Sequence, residues 1–220
     1  MNERFAFDLD LAGRTAVAGA DEAGRGCLAG PLVAAAVCFD YAALTDGDFE
    51  ALEALDDSKR LTRERREALY GEVVRRARQV AVVSCSPASI DGRGLHRCNL
   101  DGLGASLEAL RPRPALCLVD GFRLPGYAGE HLAVVKGDAK SAAIAAASIV
   151  AKVTRDRVML RLHESFPQYG FDRHVGYATA AHREAIEIHG TCELHRLSFA
   201  SVAYRQLDLL SATGEDAGPA

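Results

Sequence analysis

Residues 14–26 read Arg14-Thr15-Ala16-Val17-Ala18-Gly19-Ala20-Asp21-Glu22-Ala23-Gly24-Arg25-Gly26, an apolar run that ends on two adjacent carboxylates and a glycine-rich turn. The run predicts a strand over residues 14–21. A second apolar run, residues 32–39, follows Gly30-Pro31, so the pair predicts a hairpin across the glycine turn. Adjacent carboxylates repel, and burying either at an apolar strand end is costly without a cation or hydrogen-bond donors. A divalent metal would compensate both. Gly24 and Gly26, lacking a Cβ, can bring backbone N–H groups close to a ligand, and Arg25 between them offers a fork of donors suited to phosphate. Successive side chains alternate on an ideal strand, so the strand must bend at Asp21-Glu22, as the following glycines permit.

Outward from this junction, residues 62–79 have helical spacing, with Leu69, Val73 and Val74 inward and arginines outward. Residues 80–84 form a short apolar strand. Residues 96–110 carry Leu100, Leu103, Leu107 and Leu110 at helical spacing, before Pro112 and Pro114. Residues 115–119 are wholly apolar, a strand covered on both faces, and they end in Asp120-Gly121, repeating the pattern of strand, carboxylate and glycine. Another strand spans 131–135. Asp138 then opens a long alanine-rich helix, 141 to about 163, whose small residues suit close packing on a sheet. A glycine-rich loop is expected at 91–97 and another over 167–176, with helices at 179–189 and 194–209. Alternating strands and helices opened by a hairpin indicate an α/β fold, a mixed sheet with helices against it. One domain over 14–207 is expected, with flexible tails at 1–13 and 208–220.

The composition, 49% hydrophobic and 25% charged over 220 residues, is that of a globular protein. The longest apolar stretch, 142–151, falls far short of the roughly 20 residues a membrane span needs. The N-terminus lacks the pattern of a secretory signal, so a cytoplasmic location and no membrane partner are expected. Six cysteines, without a Cys-x-x-Cys pair, read as buried free thiols, and the histidines form no His-Glu-x-x-His motif. Any metal would therefore have oxygen ligands.

The net charge of −4 is unevenly spread. Residues 40–57 hold seven acids and no Lys or Arg; residues 59–78 hold eight bases against three acids; residues 136–161 hold six bases against two acids. Basic segments beside an acidic centre suit a nuclease, which must attract a polyanion and keep carboxylates for metal. Asp21, Glu22, Asp120 and Asp138 each fall at a strand end or helix start, where side chains can converge at one sheet edge on Mg2+ or Mn2+. Four acids suffice for two ions and in-line hydrolysis of a phosphodiester. Each feature also has a plainer reading: a solvated acidic turn for Asp21-Glu22, a turn for Asp120-Gly121, a helix cap for Asp138, and solvated faces for the basic segments, Lys140 and Lys152 included.

The segments Ala18-Gly19-Ala20-Asp21-Glu22-Ala23-Gly24-Arg25-Gly26, Asp57-Ser58-Lys59, Leu118-Val119-Asp120-Gly121, Lys136-Gly137-Asp138, Ala146-Ala147-Ser148-Ile149-Val150-Ala151-Lys152-Val153-Thr154-Arg155-Asp156, Gly176-Tyr177 and His195-Arg196-Leu197-Ser198-Phe199 stand in the order of ribonuclease HII. Over residues 18–199 the chain resembles that family. The resemblance implies a ribonuclease H-like fold with a helical C-terminal extension from about residue 165. It implies a monomeric metal-dependent endonuclease that cuts the RNA strand of RNA–DNA hybrids, including a single ribonucleotide in duplex DNA, and leaves 3'-hydroxyl and 5'-phosphate ends. Asp21, Glu22, Asp120 and Asp138 would be the catalytic acids, holding two Mn2+ or Mg2+ ions with Asp21 shared. Gly24, Arg25 and Gly26 would read the ribose 2'-hydroxyl and hold a phosphate, Lys59 would contact another phosphate, and Tyr177 would stack on the deoxyribose after the junction. Val175 stands where many relatives have lysine, which removes one implied contact. A junction resolvase-type nuclease of the same fold and a noncatalytic nucleic-acid-binding module are the alternatives.

Overall fold

The computed structural model describes residues 2–56, 58 and 61–199. In chain order the elements are helix α1 (Glu3–Ala12), strands β1 (Ala16–Ala23) and β2 (Leu32–Asp40), helices α2 (Asp46–Ala51) and α3 (Arg63–Arg76), strand β3 (Gln79–Cys85), helices α4 (Pro87–Arg93) and α5 (Leu95–Glu108), and strands β4 (Leu116–Asp120) and β5 (His131–Val134). A 3-10 turn, Gly137–Ala139, precedes the long helix α6 (Ala142–Ser165); a second, Pro167–Tyr169, precedes α7 (Phe171–His174) and α8 (Ala180–His189). Side-chain caps set many of the helix starts. Thr62, Ser86, Ser141 and Thr179 each accept a backbone N–H three residues on, leaving fewer first-turn donors without a partner.

The five strands lie in the order β3-β2-β1-β4-β5, with β1, β2 and β3 antiparallel and β1, β4 and β5 parallel. The predicted hairpin is present. Alternation along β1 and β2 divides the core. Val17, Val33, Ala35, Val37 and Phe39 pack with the alanines of α6 on one face. Ala18, Ala20, Ala34, Ala36 and Cys38 meet Leu103 and Leu107 of α5 on the other. Gly19 sets the approach of α6, because a Cβ there would lie 2.1 Å from the backbone carbon of Ala143. Only a residue without a side chain lets the helix backbone come so near the strand.

Several expectations are corrected. The chain over 3–12 is no tail: α1 buries Phe5 completely, its ring edge-on to Phe49 with centroids 5.0 Å apart. Val74 faces solvent, since α3 turns Leu69 and Val73 inward. Within 91–97 the chain is largely helical, with Gly94 ending α4 and starting α5. The 167–176 segment contains a 3-10 turn and α7. Residues 194–199 are turns, and the remainder of the helix expected to 209 lies outside the described residues, as does the tail at 208–220. Cys27, Cys38, Cys98 and Cys117 are buried free thiols, whereas Cys85 and Cys192 are partly exposed.

Candidate active site

β1 does not bend at its two acids. Its pairing with β2 runs through Asp21↔Ala35, Glu22↔Ala34 and Ala23↔Val33, so the two carboxylates leave opposite faces of the sheet. Asp21 takes the α6 face, where the nearby Ser148 hydroxyl counteracts part of the rise in its pKa. Glu22 takes the α5 face beside Asn99. Because β4 pairs in parallel with β1 as far as Ala20↔Val119, Asp120 ends its strand next to Asp21. Asp120 Oδ1 accepts the Gly137 N–H at 2.7 Å, which brings the turn carrying Asp138 to the same edge. Ser141 caps α6, so that task does not fall to Asp138.

The electrostatics are those of crowded like charge. Asp21 is 5% exposed, and its carboxyl is pushed well above the usual range, first by burial and then by Glu22 and Asp120. Glu22 is raised by burial, with Arg25 opposing and Asp120 adding to the rise. Arg25 Nη1 lies 3.3 Å from Glu22 Oε1, while Glu22 Oε2 is buried without a hydrogen-bond partner. Among the described residues no three acidic, histidine or cysteine side chains converge into a finished coordination shell. The donor set still fits a hard divalent cation: it is all oxygen, mutually repulsive, and has one buried oxygen unsatisfied.

The glycine turn is held from beneath by two arginines. Arg196, fully buried, donates to the carbonyls of Gly24 (2.7 Å), Arg25 (3.2 Å) and Gly30 (2.8 Å). Arg155, also fully buried, donates to Ala29 (3.0 Å), Pro31 (2.9 Å) and Val175 (2.8 Å). Gly24 has φ 96°, and a Cβ would stand 2.1 Å from Arg155 Nε, so both conformation and space demand glycine. Gly26 is exposed, with open space where a Cβ would be. The Arg25 guanidinium lies 4.9 Å from the centre of the Phe122 ring. Tyr177 forms an isolated antiparallel bridge with Cys27, which places its 39%-exposed side chain beside the turn, with Lys152 Nζ 5.1 Å over its ring.

Asp21, Glu22, Asp120, Gly24, Arg25, Gly26 and Tyr177 are thus gathered at one end of the sheet, with Asp138 one residue from the group that holds Asp120. Lys59 lies outside the described residues; Ser58 beside it shares a 2.9 Å hydrogen bond with Ser148, which lies near Asp21. Lys152 pairs with Asp156 at 2.8 Å, and Lys140 is exposed. The basic segments are partly structural: Arg155 is sealed in the core, Arg66 donates to the carbonyls of Ser58 and Leu61, and Arg157 pairs with Glu67. Sequence reasoning gave no role to Arg155, Arg196, Ser148 or Phe122. For Arg155 a signal existed, since it is in phase with the buried Ala151 and Met159 along α6. Val175 adopts a left-handed conformation, φ 43°, with its N–H on Phe171 and its carbonyl on Arg155.

The family model for ribonuclease HII matches residues 18–202. The chain belongs to the ribonuclease HII family. The ribonuclease HII of Saccharopolyspora erythraea is 47% identical over 194 residues, 88% of this chain and 83% of that protein. The crystal structure of ribonuclease H2 from Pyrococcus horikoshii OT3 superposes with a TM-score of 0.76 at 28% identity, covering 89% of this chain and 98% of that one. Bst-RNase HIII, solved in complex with Mn2+, shares the fold with a TM-score of 0.68 at 21% identity, over 91% of this chain and 71% of that one. This member of the ribonuclease HII family is accordingly an endoribonuclease of the ribonuclease H type, and its ribonuclease H-like fold is the one expected.

Proposed function

We propose that the enzyme cuts the RNA strand of RNA–DNA hybrids and at single ribonucleotides in duplex DNA, with Asp21, Glu22, Asp120 and Asp138 holding two divalent ions, Mn2+ or Mg2+. The observation that carries this reading is the buried Asp21 crowded by Glu22 and Asp120 at the sheet end that faces the Gly24-Arg25-Gly26 turn. When bound, the ions supply activation of water and stabilisation of the leaving oxygen, giving 3'-hydroxyl and 5'-phosphate ends. The protein's own part is placement. The Glu22 N–H holds the Asp21 carboxylate, and the Gly137 N–H holds Asp120. Arg25, resting on Phe122, is placed to take a phosphate, and the backbone of Gly24 and Gly26 to meet the 2'-hydroxyl that distinguishes RNA. Tyr177 offers its exposed ring to the neighbouring deoxyribose, and Lys59 contacts a further phosphate. The Mn2+ complex of Bst-RNase HIII supports the choice of ion. The enzyme acts as a monomer in a single domain, in the cytoplasm; among the described residues no helix is long and apolar enough to cross a membrane.

Cleavage of a full hybrid, a duplex with one ribonucleotide and an all-DNA duplex, in Mg2+ and in Mn2+, tests this reading. The first two substrates should be cut and the third left intact. Asp120→Asn should lose more than ~100-fold in rate, beyond the usual cost of even an outer-shell metal partner, while still binding hybrid. Arg25→Ala should weaken hybrid binding and reduce its salt slope by about one. A near-normal rate for Asp120→Asn, or cutting of the all-DNA duplex, defeats the proposal.

A further inference from the structure

We infer that Arg4 is a positioning residue for Asp138, so that α1, which lies ahead of the residues matched to the family, is part of the active site's construction. The inference rests on the reading of Asp138 as a metal-binding acid. Arg4 Nε donates to the backbone carbonyl of Asp138 at 3.1 Å, and Arg4 Nη2 pairs with Asp56 Oδ1 at 2.5 Å. The Arg4 side chain is 16% exposed, so water competes little for either bond. A guanidinium presents donors in two fixed directions, and here one fork ties the turn bearing Asp138 to the segment that leads into Asp57-Ser58-Lys59. Ser58 in turn meets Ser148 of α6, at 2.9 Å.

Asp138 needs such support. Its turn is three residues long and follows Lys136, a non-glycine residue in the left-handed region at φ 55°. The turn is also fastened through Gly137, whose N–H reaches Asp120 and whose carbonyl accepts from Lys140 and Ser141, and through the Ala139 N–H, which donates to the Lys136 carbonyl. Arg4 holds the Asp138 peptide itself, through its carbonyl. The helix that carries Arg4 is itself rigidly seated: Phe5 packs against Phe39, Tyr41 and Phe49, and the buried Asp8 carboxylate accepts from Tyr41 Oη at 2.5 Å and from the Ala143 N–H, at the start of α6, at 3.0 Å. A support anchored in the core can keep a ligand group within the fraction of an ångström that metal geometry requires.

The test is Mn2+ affinity of the substrate-free protein, measured by calorimetric titration beside thermal unfolding, in the wild type, Arg4→Ala, Arg4→Lys, Asn2→Ala and Asp138→Asn. Arg4→Ala should weaken Mn2+ binding about 10-fold. Arg4→Lys should shift it in the same direction, because one ammonium cannot occupy both positions of the fork. Asn2→Ala removes the α1 cap and the side-chain bonds to the Glu53 and Leu55 carbonyls without touching Asp138; it should lower thermal stability and leave Mn2+ affinity unchanged. Wild-type affinity in both Arg4 variants, or an equal loss in Asn2→Ala, overturns the inference. Asp138→Asn separates the two readings: unchanged affinity there removes the ligand assignment itself, whereas a loss there with none in the Arg4 variants removes only the positioning role.

Discussion

Asp21 is tightly constrained: it is buried, feels the charge of two other carboxylates, Glu22 and Asp120, and accepts the Glu22 backbone N–H. Like charges held together in a dry site weaken the fold that holds them. Asp21→Asn keeps the shape and removes one charge, so the metal-free variant should be more stable by about 1 kcal/mol, or roughly 2–4 °C in Tm for a chain of this size. It should also lose cleavage, and Mn2+ should raise its Tm less than that of the wild type. Calorimetry with and without Mn2+ measures both effects, and an unchanged or lowered Tm in the metal-free variant contradicts the first. Asp21, Glu22 and Asp120 stood out as candidates because they close apolar runs, and Asp138 because it precedes the long helix. Arg155 and Arg196 were not readable as clamps, since most of the carbonyls they serve are distant in sequence: 124–126 residues for Arg155, with Val175 alone 20 away, and 166–172 for Arg196.

The contact between β1 and α6 sets the depth at which that site is buried. Gly19 pairs with Leu118 on β4 and Val37 on β2, while its open face admits the first turn of α6. Gly19→Val would drive carbon into the Ala143 backbone and should destabilise the protein by about 3 kcal/mol or more. Urea unfolding with a lowered midpoint and an unchanged slope is the expected result; a midpoint within error of the wild type excludes such close packing. The hairpin, β4 and α6 were legible because alternation and alanine spacing are local patterns. The short helices α1, α2 and α4 were not. In α1, Phe5 is buried by Phe39, Tyr41 and Phe49, which no local periodicity announces.

The C-terminal helices are fastened to the glycine turn through the bridges Cys27↔Tyr177 and Ala29↔His195 and through a chain of histidines. The Cys192 N–H donates to His195 Nδ1 (3.0 Å), His195 and His182 meet through Nε2 (3.2 Å), and His182 Nδ1 reaches the Tyr177 carbonyl (2.9 Å). The hydrogen bonds are satisfied when both rings are neutral: His182 donates to the carbonyl, so its Nε2 accepts from His195. Tyr169, Phe171 and His174 pack around them, with His174 stacked on His182 at 4.4 Å. Burial pushes both rings down to about 4. Groups lowered in the folded state bind fewer protons there than in the unfolded chain, so the stability they support is complete above the ordinary histidine value of about 6.5 and is lost as pH falls towards 4. The loss should be on the order of 2–3 kcal/mol for each ring. Unfolding measured at pH 7 and at pH 4.5 should show it, with hybrid affinity falling as the Tyr177 segment loosens. A flat stability profile over that range refutes the linkage.

Local pattern was sufficient for the mixed sheet and the long alanine-rich helix, because alternation and small-residue spacing are properties of neighbouring residues. Packing in three dimensions was needed to show that Asp21 and Glu22 leave opposite faces of an unbent strand, that Arg155 and Arg196 hold the glycine turn, and that α1 reaches Asp138. Those relations join residues distant in sequence through single hydrogen bonds and buried faces, and such contacts exist only once the chain has closed upon itself.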